Sequence, residues 1–144
     1  MSSARRATLG APHPVILRAL TESARISIGD DFGITGATIC ATNAVTIGDG
    51  VLVGCNVIIA DTDFHPVDHG ERRYADRPRA SDRERVTIGN NVFLGTGSIV
   101  LKGTTIGDDC VIGAGSVVRG EVPSGTVYAG NPAELVRRLS TDKR

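Results

Sequence analysis

Large aliphatic residues recur along this chain at intervals of six. From Ile88 they fall at Leu94, Val100, Ile106, Ile112 and Val118, and Gly, Asn, Asp, Thr and Ser dominate the stretches between them. In most units Gly follows the aliphatic, an Asn/Asp/Gly pair comes next in several (Asn90-Asn91, Asp108-Asp109), and the fifth residue is small or β-branched: Val92, Ser98, Thr104, Cys110, Ser116. A fixed internal period sets the architecture ahead of residue-by-residue propensity. Each unit supplies one short strand with an inward aliphatic and one turn. The Gly and the Asn/Asp/Gly pair suit backbone with φ > 0, where a Cβ is costly. The fifth residue suits a crowded interior and a strand. Three units make a triangular coil of 18 residues. One coil cannot bury its own aliphatics, so coils must stack into parallel sheets on three flat faces.

The same register runs earlier, through Ile28, Ile34 and Cys40, then Ile47, Val53 and Ile59. Ile28 to Ile47 is 19 residues, one more than a coil, which predicts a single-residue slip near Thr46. Ile47 to Ile88 is 41, one coil plus 23, so the surplus must leave the coil as a loop within residues 61–85. The predicted organisation is one domain, 1–144: an N-terminal cap at 11–27, coils at 28–60 and 86–122 with the excursion between them, about four to five coils in all. After Val118 the period ends at Pro123 and Gly125. Asn131 as N-cap, Pro132 at the first helical position and Glu134 at the third predict a short C-terminal α-helix over 131–140. Its Leu135, Val136 and Leu139 would fold onto the last coil, and Arg137, Arg138 and Lys143 would favour its C-terminal end.

This hexad pattern, in register over most of residues 15–139, resembles the hexapeptide-repeat acyltransferases, and within them the sugar O-acetyltransferase branch of maltose and galactoside acetyltransferases. The resemblance implies an all-β, left-handed parallel β-helix, against the usual right-handed rule for parallel crossovers. It also implies a cytoplasmic homotrimer with acetyl-CoA as co-substrate and sites shared between subunits. The cap at 11–27 is expected to stand in place of the longer helical N-terminal extension of maltose- and galactoside-type members.

Composition agrees with a prism filled by Ile, Val and Leu: three Phe, two Tyr, no Trp and 18 Gly. Net charge is zero, which offers nothing to nucleic acid or an acidic membrane surface. No apolar run approaches membrane length, and Met1 to Gly10 has two Arg without a following signal-type hydrophobic region. Cys40, Cys55 and Cys110 match no zinc spacing and read as reduced structural thiols; a catalytic thiol at Cys55 is the sharper alternative.

The chemistry-bearing interruption is Asp61-Thr62-Asp63-Phe64-His65-Pro66-Val67-Asp68, where the chain leaves the coil. A histidine titrating near neutrality suits a general base, and Asp61, Asp63 or Asp68 could take a proton from one ring nitrogen. A His beside Pro in a polar loop is also commonly just solvated. The resemblance assigns His65 as the base, because sugar-type members carry theirs in a His-Pro segment before an excursion, one coil after a unit like Ile47-Gly48-Asp49-Gly50. It implies direct acyl transfer with no acyl-enzyme. For the donor it matches Thr96 in Phe93-Leu94-Gly95-Thr96, Ala114 in Ile112-Gly113-Ala114-Gly115-Ser116, Arg119 after Ser116-Val117-Val118, Asn131 in the Gly-Asn-Pro-Ala turn, and Arg137. Gly120 and Glu134 stand where relatives carry cations. For the acceptor it offers Asp63, and Tyr74, Arg72 or Arg73 from a loop that reaches a neighbour's site. The acceptor-holding Asn of galactoside-type members falls near Thr35 or Gly36. Hexads require small residues anyway, which is the bland reading of Thr96 and Ala114. Two other readings compete: a γ-carbonic-anhydrase-like metal enzyme, which needs three His ligands where the chain has only His13, His65 and His69, and a non-catalytic scaffold.

Overall fold

In the computed structural model, which describes residues 13–140, the period becomes a left-handed parallel β-helix. The first coil is β1 (Ile16–Ala19), β2 (Arg25–Ile28) and β3 (Gly33–Ile34). The second is β4 (Thr38–Ala41), β5 (Ala44–Ile47) and β6 (Leu52–Val53), and the third β7 (Ile58–Ala60), β8 (Val86–Ile88) and β9 (Phe93–Leu94). The fourth is β10 (Ile99–Val100), β11 (Thr105–Ile106) and β12 (Val111–Ile112). The fifth is β13 (Val117–Val118), β14 (Glu121–Val122) and β15 (Thr126–Gly130), followed by β16 (Ala133–Arg138). Face 1 stacks β1-β4-β7-β10-β13, face 2 stacks β2-β5-β8-β11-β14, and face 3 stacks β3-β6-β9-β12-β15, with β16 added at its end.

Within each hexad the geometry is specific. The opening aliphatic is inward and buried, as at Ile47, Ile59, Ile88, Leu94, Val100, Ile106 and Ile112. The fourth residue adopts positive φ: Asp31, Gly50, Asn56, Asn91, Gly97, Gly103, Asp109 and Gly115. Asn and Asp tolerate that region better than other side chains. The glycine at position two answers close approach: a Cβ on Gly95 would lie 2.6 Å from the Ala114 nitrogen of the next coil. At the edge between faces 2 and 3, third-position side chains cap the coil before them. Asp49 Oδ1 accepts from Asp30 N (2.8 Å), Asn90 Oδ1 from Asp49 N (2.9 Å), Asp108 Oδ1 from Asn90 N (2.7 Å), and Ser124 Oγ from Asp108 N (2.9 Å).

Two expectations are corrected. No C-terminal helix forms over 131–140. Residues 131–132 are the turn of a hairpin, with a cis Asn131-Pro132 peptide, and β16 runs antiparallel to β15 from Gly130↔Ala133 to Thr126↔Arg138. A helix of so few residues gains little against its nucleation cost, whereas the open edge of face 3 offers a row of unpaired backbone groups. The slip, too, is not a single residue near Thr46. Ile39, rather than Cys40, pairs with Ile59, so the corner before Ile39 is one residue short and the corner at Thr42 and Asn43 two residues long.

The first coil, β1 to β3, closes the N-terminal end less completely. Leu17 is exposed, and Val15, Leu17, Ile28, Phe32 and Ile34 line a depression there of about 350 Å³.

Leu94 is fully buried mid-stack. Leu94→Ala should cost about 2–5 kcal/mol from lost transfer energy and residual cavity, read by urea unfolding. Ser98 is equally buried, and among the described residues its hydroxyl has no hydrogen-bond partner. Ser98→Ala should leave stability unchanged or raise it by roughly 1 kcal/mol; a clear loss would show that the hydroxyl has a partner after all.

Candidate active site

The excursion departs from the edge between faces 1 and 2, in the third coil. It is held there by the corresponding corners of the coils on either side. In the preceding coil the two-residue surplus at Thr42 and Asn43 leaves three backbone N–H groups off the strand ladder, and Asp61 takes them all. Its Oδ1 accepts from Thr42 N (2.7 Å) and Thr42 Oγ1 (3.0 Å), and its Oδ2 accepts from Asn43 N (2.7 Å) and Ala44 N (2.9 Å). Asp61 is 0% exposed, a burial such a carboxylate tolerates only when fully hydrogen-bonded. The Asn43 side chain meets the far end of the excursion: its Nδ2 donates to Asp82 (3.2 Å), its Oδ1 accepts from Arg85 Nε (3.1 Å), and Arg85 pairs with Asp82 at 2.8 Å. A single 3-10 turn, Asp82–Glu84, capped by Ser81, leads back into the coil.

In the following coil Lys102 plays the matching part. Its ammonium lies 2.8 Å from Asp63, at the start of the excursion, and 3.9 Å from Glu84, at its end. Gly103 N also donates to Glu84 O at 2.8 Å. The hydrogen bond that Lys102 donates to Asp63 is the main cause raising the Lys102 pKa; desolvation opposes it, and the charges of Asp63 and Glu84 add to the rise. The Lys102 side of this pairing is therefore fully present below the ordinary lysine value and is lost only as pH rises past the raised one.

His65 is two residues beyond that ion pair. Thr62 Oγ1 accepts from Phe64 N (3.0 Å), and Asp63 O accepts from His65 N (2.7 Å), closing a three-residue turn around Phe64 at φ 64°. A bulky residue in this region is an outlier, and such turns are rare and strained, a cost of about 1–3 kcal/mol that surrounding structure must hold in place. The ring of His65 is exposed in the single chain. Two of the three expected carboxylate partners are already engaged, Asp61 with the corner and Asp63 with Lys102. Asp68 and Tyr74 are exposed, Tyr74 to 81%. Arg72 Nε donates to Val67 O (2.9 Å), and His69 Nδ1 accepts from Glu71 N (3.0 Å).

The other singled-out residues sit elsewhere. Thr96 and Ala114 stack on the edge between faces 3 and 1, linked by Gly115 N to Thr96 O at 2.8 Å. The turn of Cys55 stacks directly on that of Thr96, with Gly97 N donating to Cys55 O (2.9 Å). Arg119 lies on the 1/2 edge with His65 and Lys102, one coil further on. Asn131 and Arg137 belong to the terminal hairpin on face 3, both exposed. The structure thus places His65 and Arg119 along one border of face 1, and Thr96 and Ala114 along the other. All three cysteines are buried and free of disulfides. Burial pushes the Cys40 thiol up, opposed by Arg18 and reinforced by Asp61. His13 lies just before β1, remote in sequence from His65 and His69, and among the described residues no group of three or more His, Cys, Asp or Glu gathers for a metal ion. Among those residues, too, no helix is long and apolar enough to cross a membrane. Sequence reasoning missed Lys102 and the role of Asp61; the irregular spacing around Thr42 was the available signal for Asp61.

Residues 85–120 match the family model described as bacterial transferase hexapeptide (six repeats). The chain is 32% identical to the maltose O-acetyltransferase from Clostridium difficile 630, aligning over 88% of this chain and 67% of that one with a TM-score of 0.67. It belongs to the hexapeptide-repeat transferase family. This hexapeptide-repeat protein is also 39% identical over 116 residues to the galactoside O-acetyltransferase of Escherichia coli (strain K12), covering 80% of this chain and 55% of that enzyme. A galactoside acetyltransferase solved in complex with coenzyme A is similar at 37% identity and TM-score 0.72, over 88% of this chain and 65% of the other. The hexapeptide-repeat chain therefore spans little more than half the length of the Escherichia coli relative.

Asp61→Asn replaces one acceptor oxygen by an amide donor facing backbone N–H groups. It should destabilise the protein by roughly 2–4 kcal/mol, more than one lost surface bond, because buried donors are left unpaired; chemical denaturation reads this directly.

Proposed function

We propose that this protein is an acetyl-CoA-dependent O-acetyltransferase acting on a hydroxyl of a sugar or glycan precursor, with His65 as general base. The observation that carries the reading is a histidine held at the mouth of the excursion by two ordered corners, on a chain whose relatives include sugar acetyltransferases. In this mechanism His65 takes the proton of the acceptor hydroxyl as its oxygen attacks the thioester carbonyl. Backbone N–H groups of a coil turn steady the developing oxyanion. The C–S bond then breaks, and CoA leaves as the thiolate, which recovers the proton from the imidazolium. No acyl-enzyme is required, in keeping with the burial of all three cysteines. Tyr74 and Asp63 remain the acceptor-side candidates, with Asp63 restricted by its pairing to Lys102.

The donor would run along face 1, between the border that carries Thr96 and Ala114 and the border that carries Arg119, with Asn131 and Arg137 toward its nucleotide end. A neighbouring chain is needed to roof it. The outward residues of the faces support a homotrimer. Face 1 presents Ile58, Ile99 and Val117 in register, and face 3 presents Leu52, Phe93, Val111 and Val127, with Leu52 54% and Phe93 46% exposed in the single chain. Face 2 presents Thr46, Thr87, Thr105 and Glu121. Apolar stripes of this kind mark association surfaces, and the threonine face is the one suited to water. We place the protein in the cytoplasm, where buried thiols that form no disulfide stay reduced.

With acetyl-CoA and a panel of sugars and sugar nucleotides, acceptor-dependent CoA release should fall by about 10²–10⁴-fold in His65→Ala, while acetyl-CoA binding by calorimetry persists. Equal release by both proteins would remove His65 from the mechanism. Phe93→Glu should convert the trimer to monomer in sedimentation velocity and abolish transfer with it; a trimer that survives this change would point to other contacting faces.

A further inference from the structure

Among the described residues, Lys102 is the one cation that touches both ends of the excursion. Its partners, Asp63 and Glu84, are 21 residues apart in sequence, and both converge on a corner of the coil that follows. The excursion must be entered and left through this point, and the turn that aims His65 begins at Asp63 itself, whose carbonyl accepts from His65 N. Phe64 is held at positive φ in that turn. A strained turn relaxes unless its ends are fixed. Asp61 fixes the chain three residues before Phe64, and Asp63 fixes it at the residue immediately before. Without Lys102 the Asp63 side chain loses its ion pair and Glu84 its nearest cation, while Asp61 stays bonded. The fault would therefore be local to the His65 turn.

We propose that Lys102 is a positioning residue for acetyl transfer: by holding Asp63 at the entry and Glu84 at the exit of the excursion, it presets the backbone that carries His65. This rests on the reading of His65 as general base. Lys102 acts through Asp63 rather than on the reacting atoms, so its removal should disturb turnover more than donor binding. Misplacing a catalytic group by about an ångström is enough to cost on the order of 10²-fold in rate.

The test compares wild type with Lys102→Met, Lys102→Arg, Asp63→Asn and the Lys102→Met/Asp63→Asn double variant, using acetyl-CoA and the best acceptor of the sugar panel. Both single neutralisations should lower kcat by about 10-fold or more, with KM for acetyl-CoA within about twofold of wild type. The double variant should be no worse than the poorer single one, because both break the same pair. Lys102→Arg should restore most of kcat. Trypsin should cleave the arginine-rich stretch 72–79 faster in Lys102→Met than in wild type, at unchanged thermal midpoint. An active wild type whose Lys102→Met variant keeps its kcat overturns this role alone. A rise in KM for acetyl-CoA matching the loss in kcat overturns it as well, making Lys102 a donor-binding cation. A wild type that transfers no acetyl group to any acceptor sinks the acetyl-transfer reading and this role together.

Discussion

Backbone hydrogen bonds that run from coil to coil, parallel to the prism axis, are the constraint from which the rest of this molecule follows. Each coil's N–H groups find carbonyls on the next coil, so every coil must return to the same register after three corners. That return is what fixes the inward aliphatic, the left-handed fourth residue and the glycine where backbones nearly touch. It also means that surplus residues cannot be absorbed gradually. They must be expelled at a corner, and the N–H groups they strand must be satisfied by something else. Asp61 is the answer at Thr42 and Asn43, and the edge between faces 2 and 3, with its ladder of Asp49, Asn90, Asp108 and Ser124, shows what a corner without surplus looks like.

This explains why four of the candidate residues, His65, Arg119, Thr96 and Ala114, border one face. The 2/3 edge satisfies its own backbone groups with its own side chains and has no surplus chain. The 1/2 edge carries the lengthened corner and the excursion, and with them His65. The 3/1 edge keeps its turns narrow with Gly54, Gly95 and Gly113, leaving Thr96 and Ala114 on a shallow surface. Face 1 between those edges is flat and apolar, so a groove there exists only once something packs against it.

The fold was legible wherever one local rule repeated. Leu94, Val100, Ile106 and Ile112 announced their own strands, and the sum of intervals between Ile47 and Ile88 located the excursion. Legibility failed where a local signal competed with a distant one. Asn131, Pro132 and Glu134 spell a helix start, but the edge of β15, already built by the preceding residues, pairs with Ala133–Arg138 instead. The 19-residue spacing from Ile28 to Ile47 showed that a slip existed, yet not that it combined a shortening and a lengthening, because only the pairing of Ile39 with Ile59 separates the two. At the candidate site, His65 could be singled out only through the resemblance of its His-Pro segment, since a His beside Pro in a polar loop is by itself commonly solvated. Lys102 could not, since its contacts with Asp63 and Glu84 depend on axial stacking across a loop of arbitrary length, and nothing in its own hexad sets it apart.

The hairpin of β15 and β16 has a consequence for how far the stack of coils runs. A parallel coil ends in an edge that is the same template as the one before it, so nothing in the repeat itself says where to stop. By turning back through Asn131 and Pro132, β16 presents an antiparallel strand on which the next left-handed coil cannot be laid in register. The reversal acts as a full stop written in backbone direction. It closes the growing edge of face 3 after the fifth coil, in a sequence whose every hexad invites continuation.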